Sequence, residues 1–344
     1  MIDALSPEDQ LRLNVLLAQA LRAVRIDEGR LELRALTDQG EASMPLNPNC
    51  REDRYFRLLR EVLSGHALGS PGGYPVYLSR WTRHGQMDGA NLARLLLTGE
   101  PEAVVAVVHS PALTDEIAEA AWWAMPTIDN ARLMLRRPVV AHGRMGRILS
   151  DFLVEHLPFL QDDHLGIMDT VAVLLHSTCL DEAGRAAIWH RGKRCNTHYV
   201  AFLEGAPDDL PAPGDTQDGT FAGFLRATLS ARGRLFAEAA LDILTRPETQ
   251  EVVSRTLNAI GRYYGAGRDA GLAREAADLL ARAPHLAAAI EAVHALGVVD
   301  DSLTAPVFAR STAIGSLMRR RIEPHIAPLR GHLGALLATG AVID

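Results

Sequence analysis

The sequence predicts a mainly α protein, an irregular HEAT-like helical-repeat array or a multi-helical bundle, with a small antiparallel β meander near the N-terminus. Three observations lead there. Ala and Leu dominate a composition that is 48% hydrophobic but only 5% aromatic, and strands draw on aromatic and β-branched residues where helices draw on Ala and Leu. Apolar residues recur at helical spacing through most of the chain beyond residue 50. Helix-turn-helix segments of one pattern then repeat along it. At 344 residues the chain is long enough to bury a substantial core.

The elements follow in order. Ser6 is placed to cap a helix over residues 7–22, with Asp9 at the third helical position as the acidic partner of a capping box. Spacing two then takes over. Val24 and Ile26, Leu31 and Leu33, and Met44 and Leu46 alternate with polar residues, separated by the turns Asp27-Glu28-Gly29 and Asp38-Gln39-Gly40. Three short strands are marginal alone, so the first helix or residues 51–64 are expected to cover one face. A second helix is expected from an Asn49 cap, with Tyr55, Leu58, Leu59, Val62 and Leu63 as its apolar stripe and Gly65 as its stop. A Gly/Pro-rich loop at residues 66–80 follows.

Five segments then align: those beginning VVAVVHSPALT, ARLMLRRPVVA, VAVLLHSTCLD, ALDILTRPETQ and AADLLARAPHL. Each reads as the end of one helix, a short turn and an amphipathic helix. Pro111, Pro138 and Pro247 share one position in the turn, Thr178 takes it in the third copy and Pro284 is displaced by one. Proline cannot continue the first helix but suits the first turn of the next. The Asp/Pro-rich stretch at 205–219 is the expected loop or hinge. The domain reading is therefore a helix plus meander at 1–49, helices at 50–204, the loop at 205–219 and C-terminal helices at 220–344.

A net charge of −7 and a pI near 6.0 leave no global field to attract nucleic acid. The run Arg319, Arg320, Arg321 precedes Glu323 and reads as a solvated face or a helix C-terminus. No basic leader opens the chain and no apolar run approaches the roughly 20 residues that cross a bilayer. The expectation is a cytoplasmic protein without membrane insertion. Cys50, Cys179 and Cys195 are an odd, sparse set, unlike a secreted disulfide framework, so reduced thiols are expected.

Several groups invite a chemical reading. The 66–80 loop has glycines but no lysine, which disfavours a phosphate loop. Its aromatics Tyr74, Tyr77 and Trp81, beside Arg80, Arg83 and His84, read as anchors or as a partner surface. Trp122 and Trp123 are adjacent in a predicted helix, so their rings point about 100° apart and one is a candidate interface anchor. His176, Cys179, Cys195 and His198 form mirrored His-x-x-Cys and Cys-x-x-His pairs separated by fifteen residues, a donor set that suits tetrahedral zinc. An intervening amphipathic helix at 181–191 argues against their meeting, and two cysteines in core positions are the plainer reading. A thiol role is the other reading: Cys195 follows Lys193 and Arg194, Cys179 stands at the start of a predicted helix and Cys50 precedes Arg51, each a cationic setting that favours thiolate. No Gly-x-Ser-x-Gly or other hydrolase motif is present, so no catalytic residue and no cofactor is assigned.

The strings LNPNCREDRYFRLLREVLSGHALGSPGGYPVYLSRWTRHGQM, LLLTGEPEAVVAVV and EAAWWAM resemble the DsrS family of sulfur-oxidation accessory proteins, most strongly over residues 7–160. The resemblance implies a cytoplasmic setting beside the reverse dissimilatory sulfite reductase system. It brings no catalytic residues with it. Together with the aromatic and basic loop and the repeat pattern, it leads to the expectation of a non-enzymatic accessory or regulatory protein acting through protein-protein binding; the alternatives are a thiol-dependent sulfur carrier or oxidoreductase using Cys179 or Cys195, and a zinc-stabilised structural module.

Overall fold

A computed structural model describes residues 5–69, 89–214, 219–265 and 270–339. Among these the chain is helical apart from one three-stranded antiparallel sheet near its N-terminus, in agreement with the expected class. It divides into two compact units, Met1–Glu155 and His156–Asp344.

In the first unit, helix α1 (Pro7–Leu17) starts at the expected cap, where Ser6 Oγ accepts from Asp9 N at 3.2 Å. It stops five residues before the expected end, because Leu21 already enters strand β1 (Leu21–Asp27). Strands β2 (Glu32–Thr37) and β3 (Gly40–Pro45) complete the meander in the order β1-β2-β3. The register sets Ile26, Leu33 and Met44 in one row and Val24, Ala35 and Ala42 in the next. Alternation puts these on one face, where α1 and helix α2 (Glu52–Leu68) bury them with Leu13, Leu16, Phe56, Leu59 and Leu63. Leu31, expected in a strand, instead turns the chain in the left-handed region at φ 52°.

Asp9 takes only half of the expected capping box. Its side chain is fully buried and Oδ2 accepts from Tyr55 Oη at 2.6 Å and Asn47 N at 3.1 Å. A buried carboxylate needs such donors, so the three residues clasp α1 to the β3–α2 connection. Burial first, and then the Asp9 bond, push the Tyr55 hydroxyl far above the usual tyrosine range. Helix α2 departs from expectation at both ends. Its N-cap is Arg51 rather than Asn49, and it runs past Gly65 to a left-handed cap at Gly69, φ 64°, the conformation that glycine adopts without steric cost.

The rest of this unit is helix-turn-helix. Helix α3 (Gly89–Leu95) packs on α2 and β1, and Leu96 O accepts from Val24 N at 2.8 Å. Helices α4 (Pro101–His109), α5 (Asp115–Ala124), α6 (Ile128–Leu135), α7 (Pro138–Ala141) and α8 (Arg144–His156) follow. Pro111 lies in the turn between α4 and α5, and Pro138 opens α7. Asp115 on α5 accepts from Arg144 N at 3.0 Å and Met145 N at 3.1 Å, capping α8 from outside, where orphan N–H groups and the helix dipole favour a carboxylate.

The second unit contains helices α9 (His164–His176), α10 (Glu182–Arg191), α11 (Thr197–Gly205), α12 (Phe221–Leu229), α13 (Ala231–Thr245) and α14 (Gln250–Gly265). Helices α15 (Ala270–Arg282), α16 (Ala287–Leu296), α17 (Ala305–Phe308) and α18 (Gly315–Ala338) complete it. In a solenoid each repeat touches only its neighbours. Here α13 packs on both α14 and α18, α12 packs on α15, and α11 packs on α9, α13 and α14. Of the two expected architectures this unit is the multi-helical bundle, centred on α11, whose residues Thr197–Leu203 are all buried.

Helix α18 buries Met318, Ile322, Ile326, Leu329, Leu333 and Leu336 on one face. Its prolines, Pro324 and Pro328, stand on the exposed face, where water satisfies the carbonyls they release. Its last carbonyls, Leu337 O and Thr339 O, accept from the Arg234 guanidinium at 2.6 and 3.0 Å. Arg320 and Arg321 are exposed near the start of this helix, while Arg319 donates to Pro247 O at 3.1 Å; the triplet is a solvated face and not a helix C-terminus.

The described part of the Asp/Pro-rich stretch lies inside the second unit. Leu210 is buried, and Arg232 on α13 donates from Nε to Ala212 O at 3.1 Å and from its backbone N to Pro213 O at 2.9 Å. Polar, proline-rich composition reports solvent on one side of a segment, and here the other side is bonded to the body. The two units divide instead at Glu155 and His156, at the end of α8.

Candidate functional site

The mirrored Cys/His pairs occupy opposite ends of α11. His176, the last residue of α9, is exposed, and its ring packs where a Cβ on Gly205 would be 3.0 Å from Cε1. Cys195 and His198 stand at the other end, at the start of α11. Seven residues separate His198 from Gly205, about 10 Å at 1.5 Å per residue, whereas zinc ligands converge within about 2.3 Å of one ion. Each imidazole has one nitrogen on a backbone carbonyl: His176 Nδ1 bonds Ala172 O at 2.7 Å and His198 Nδ1 bonds Cys195 O at 2.9 Å. Among the described residues no group of three or more His, Cys, Asp or Glu side chains is placed to hold a metal ion.

The Cys195–His198 segment is a buried polar staple. Asn196, Thr197 and His198 are buried. Asn196 leaves its own helix uncapped and sends Nδ2 to the carbonyls of Asp242 and Arg246, 3.3 and 3.4 Å away at the end of α13. Thr197 Oγ1 bonds His164 Nδ1 of α9 at 3.0 Å. Burial holds His198 below the ordinary histidine pKa, and the bond to Cys195 O opposes it only in part.

All three cysteines are half-buried and none forms a disulfide. Cys50 packs against the core of the first unit. Cys179 lies in the turn before α10, whose N-cap is Asp181 with Oδ1 accepting from Gly184 N at 2.7 Å; the expected position at the helix N-terminus therefore belongs to a carboxylate. Lys193 and Arg194, which precede Cys195 in the sequence, are both exposed.

Trp122 and Trp123 part as adjacent helical residues should. Trp122 meets Phe152 of α8 edge to face, with ring centroids 4.7 Å apart. Trp123 turns to the sheet, where Nε1 donates to Glu41 Oε1 at 2.7 Å and the Arg25 guanidinium sits 5.0 Å from the ring centroid. Both rings are half-buried, and both hold α5 within the first unit. Tyr74, Tyr77, Arg80, Trp81, Arg83 and His84 lie outside the described residues.

Each unit also carries an arginine-lined cleft. The first unit's cleft, about 640 Å³, runs beside β1 and the start of α4. Arg60 there reaches Glu28 at 2.6 Å and Glu100 at 3.5 Å, Arg34 reaches Glu32 at 2.7 Å, and Arg30 reaches Asp27 at 3.8 Å. Burial raises the Glu100 pKa against the pull of Arg60. Acid and base neutralise each other.

The second unit's cleft, about 750 Å³, opens between α10, α11, the 209–213 segment and α13. Ala186, Pro211 and Pro213 line it beside the buried Phe202 and Leu210, and its charged lining residues are Arg185, Arg232, Glu182 and Asp209. Arg185 donates to Leu175 O at 2.8 Å and lies 3.6 Å from Asp209. Arg232 bonds the Ala212 carbonyl and, among the described residues, no carboxylate is in ion-pair range of it. Close by, burial and then Asp208 push the Tyr263 hydroxyl up to about 12, with Arg232 opposing. The sequence reading did not single out either arginine. One signal was there: Arg232 follows the Ser230 cap in the first turn of α13, where the helix dipole disfavours a cation.

Comparison with protein-family models, curated proteins and solved structures finds no match to this chain. Among the described residues no helix is long and apolar enough to cross a membrane.

Proposed function

We propose that this chain is a non-enzymatic accessory or regulatory protein of cytoplasmic bacterial sulfur oxidation, acting through protein-protein binding. The observation that carries the reading is the resemblance to DsrS over residues 7–160. Its longest matching string contains Tyr74, Tyr77, Arg80, Trp81, Arg83 and His84, residue types that supply most of the binding energy at protein interfaces. The test is affinity capture with the tagged chain from cells grown on reduced sulfur, beside a Tyr77→Ala/Trp81→Ala variant. The reading expects a component of the sulfur-oxidation machinery that the variant loses. Capture of no such component, or equal capture by the variant, contradicts it.

A thiol-dependent sulfur carrier or oxidoreductase is the second reading, favoured by Cys195 being half-exposed beside Lys193 and Arg194. Mass spectrometry after a persulfide donor separates the two. Selective modification of Cys195 supports sulfur transfer, whereas slow and equal modification of all three thiols supports the accessory role.

A further inference from the structure

We infer that the cleft between α10 and α13 binds a small organic carboxylate, with Arg232 and Arg185 gripping the anion and its apolar body resting on Ala186 and Pro211. The inference is independent of the partner-binding reading.

Size and chemistry agree. A volume of about 750 Å³ lies within the roughly 300–1,000 Å³ of small-molecule sites, which combine an apolar lining with a few polar groups that fix orientation. The accessible apolar lining comes from Ala186, Pro211 and Pro213, and it is backed by Phe202 and Leu210, which are buried. The charged lining residues are Arg185 and Arg232 with Glu182 and Asp209; the planar fork of donors on each guanidinium matches a carboxylate.

Both guanidiniums are positioned before any ligand arrives. Arg232 is anchored through Nε to Ala212 O and Arg185 through one terminal nitrogen to Leu175 O. Each anchor is a neutral carbonyl, so it fixes the side chain without neutralising it. Among the described residues, no side chain bonds either terminal nitrogen of Arg232. Asp209 is the competitor at Arg185, but at 3.6 Å and 67% side-chain exposure it is a weak surface partner. Glu182, on the rim, is exposed. These features select an anion with an apolar body over a cation, a neutral polar molecule or a bare inorganic ion.

Isothermal titration of the full chain with phenylacetate, and with neutral phenylacetamide as its isostere, tests the assignment. Phenylacetate is expected to bind saturably at one site and phenylacetamide about tenfold or more weakly. Arg232→Gln removes the guanidinium and is expected to weaken phenylacetate by a similar factor. Because that substitution also removes the anchor to Ala212, a second variant, Ala186→Trp, fills the cleft at its apolar lining and leaves both arginines in place; it is expected to abolish binding. Asp209→Asn relieves the competition and is expected to tighten binding about two- to threefold. No saturable binding of phenylacetate, equal binding of the amide, or binding that survives both Arg232→Gln and Ala186→Trp overturns the inference.

Discussion

The two clefts are both lined by arginine, and they use it differently. Beside β1, Arg60 lies between Glu28 and Glu100, Arg34 answers Glu32, and Arg25 rests on Trp123. In the second unit the Arg232 side chain is held, among the described residues, only by a carbonyl, and Arg185 shares one exposed carboxylate. A guanidinium answered by carboxylates joins the fold to itself. One answered by a carbonyl is fixed in place with its charge intact, so its position is set by the fold and its charge is left for something else.

This contrast can be broken by moving charges one at a time. The largest expected effect is at Arg255 on α14, which bonds Glu204 of α11 at 2.9 Å and Asp169 of α9 at 3.0 Å. Burial alone would lower its pKa; the bonds to Glu204 and then Asp169 raise it. Arg255→Gln leaves two carboxylates facing each other and should cost about 3 kcal/mol, read as a lower urea midpoint at unchanged m-value. Next is Arg60→Gln, which strips Glu100 of its cation and should cost about 2 kcal/mol in the same assay. Arg232→Gln loses one bond to a neutral carbonyl and should cost only about 1 kcal/mol. If Arg232→Gln proves as costly as Arg255→Gln, its charge is structural and the contrast fails.

The smallest effect is one of pH. His198 is buried with a folded pKa below the unfolded value near 6.5, so between the two the unfolded chain binds more protons. The stability this neutral histidine allows is complete above about pH 6.5 and falls as pH drops toward the folded pKa. Between pH 7.5 and 5.5 the wild-type midpoint should therefore fall further than that of His198→Gln. Equal falls would show that His198 does not carry the pH dependence.

Local chemistry made much of the fold legible. Ser6, the two-residue alternation of the meander and the prolines between helices each carry a backbone consequence that does not depend on distant neighbours. Errors arose where a residue serves two patterns. Leu21 continues the stripe of α1 after Leu13 and Leu17, and pairing across the sheet to Thr37, ahead of a register shift before Ala23, decided it. Gly65 looked like a stop, but it sits inside α2 with open space where its side chain would be, so the helix tolerates it and ends at Gly69. At 206–214 the expected loop is present apart from one short turn, and Leu210 and the Arg232 bonds tie it to the bundle.

Site chemistry was less legible, for a geometric reason. Spacing along the chain placed His176, Cys179, Cys195 and His198 in a zinc-like order, yet His176 meets one end of α11 while Cys195 and His198 stand at the other. Nothing in the spacing says which end of a helix a distant residue meets. The cleft was invisible for the converse reason: Arg185 and Arg232 lie 47 positions apart and are brought to one cavity only by the packing of α10 and α13 around α11.

Thermal unfolding with and without saturating phenylacetate, compared across wild type, Arg60→Gln and Arg232→Gln, tests the division between committed and available charge most directly. The account predicts a lowered baseline midpoint for Arg60→Gln with the ligand-induced rise preserved, and a near-wild-type baseline for Arg232→Gln with the rise lost. A rise that persists in Arg232→Gln, or that disappears in Arg60→Gln at an unchanged baseline, would contradict it.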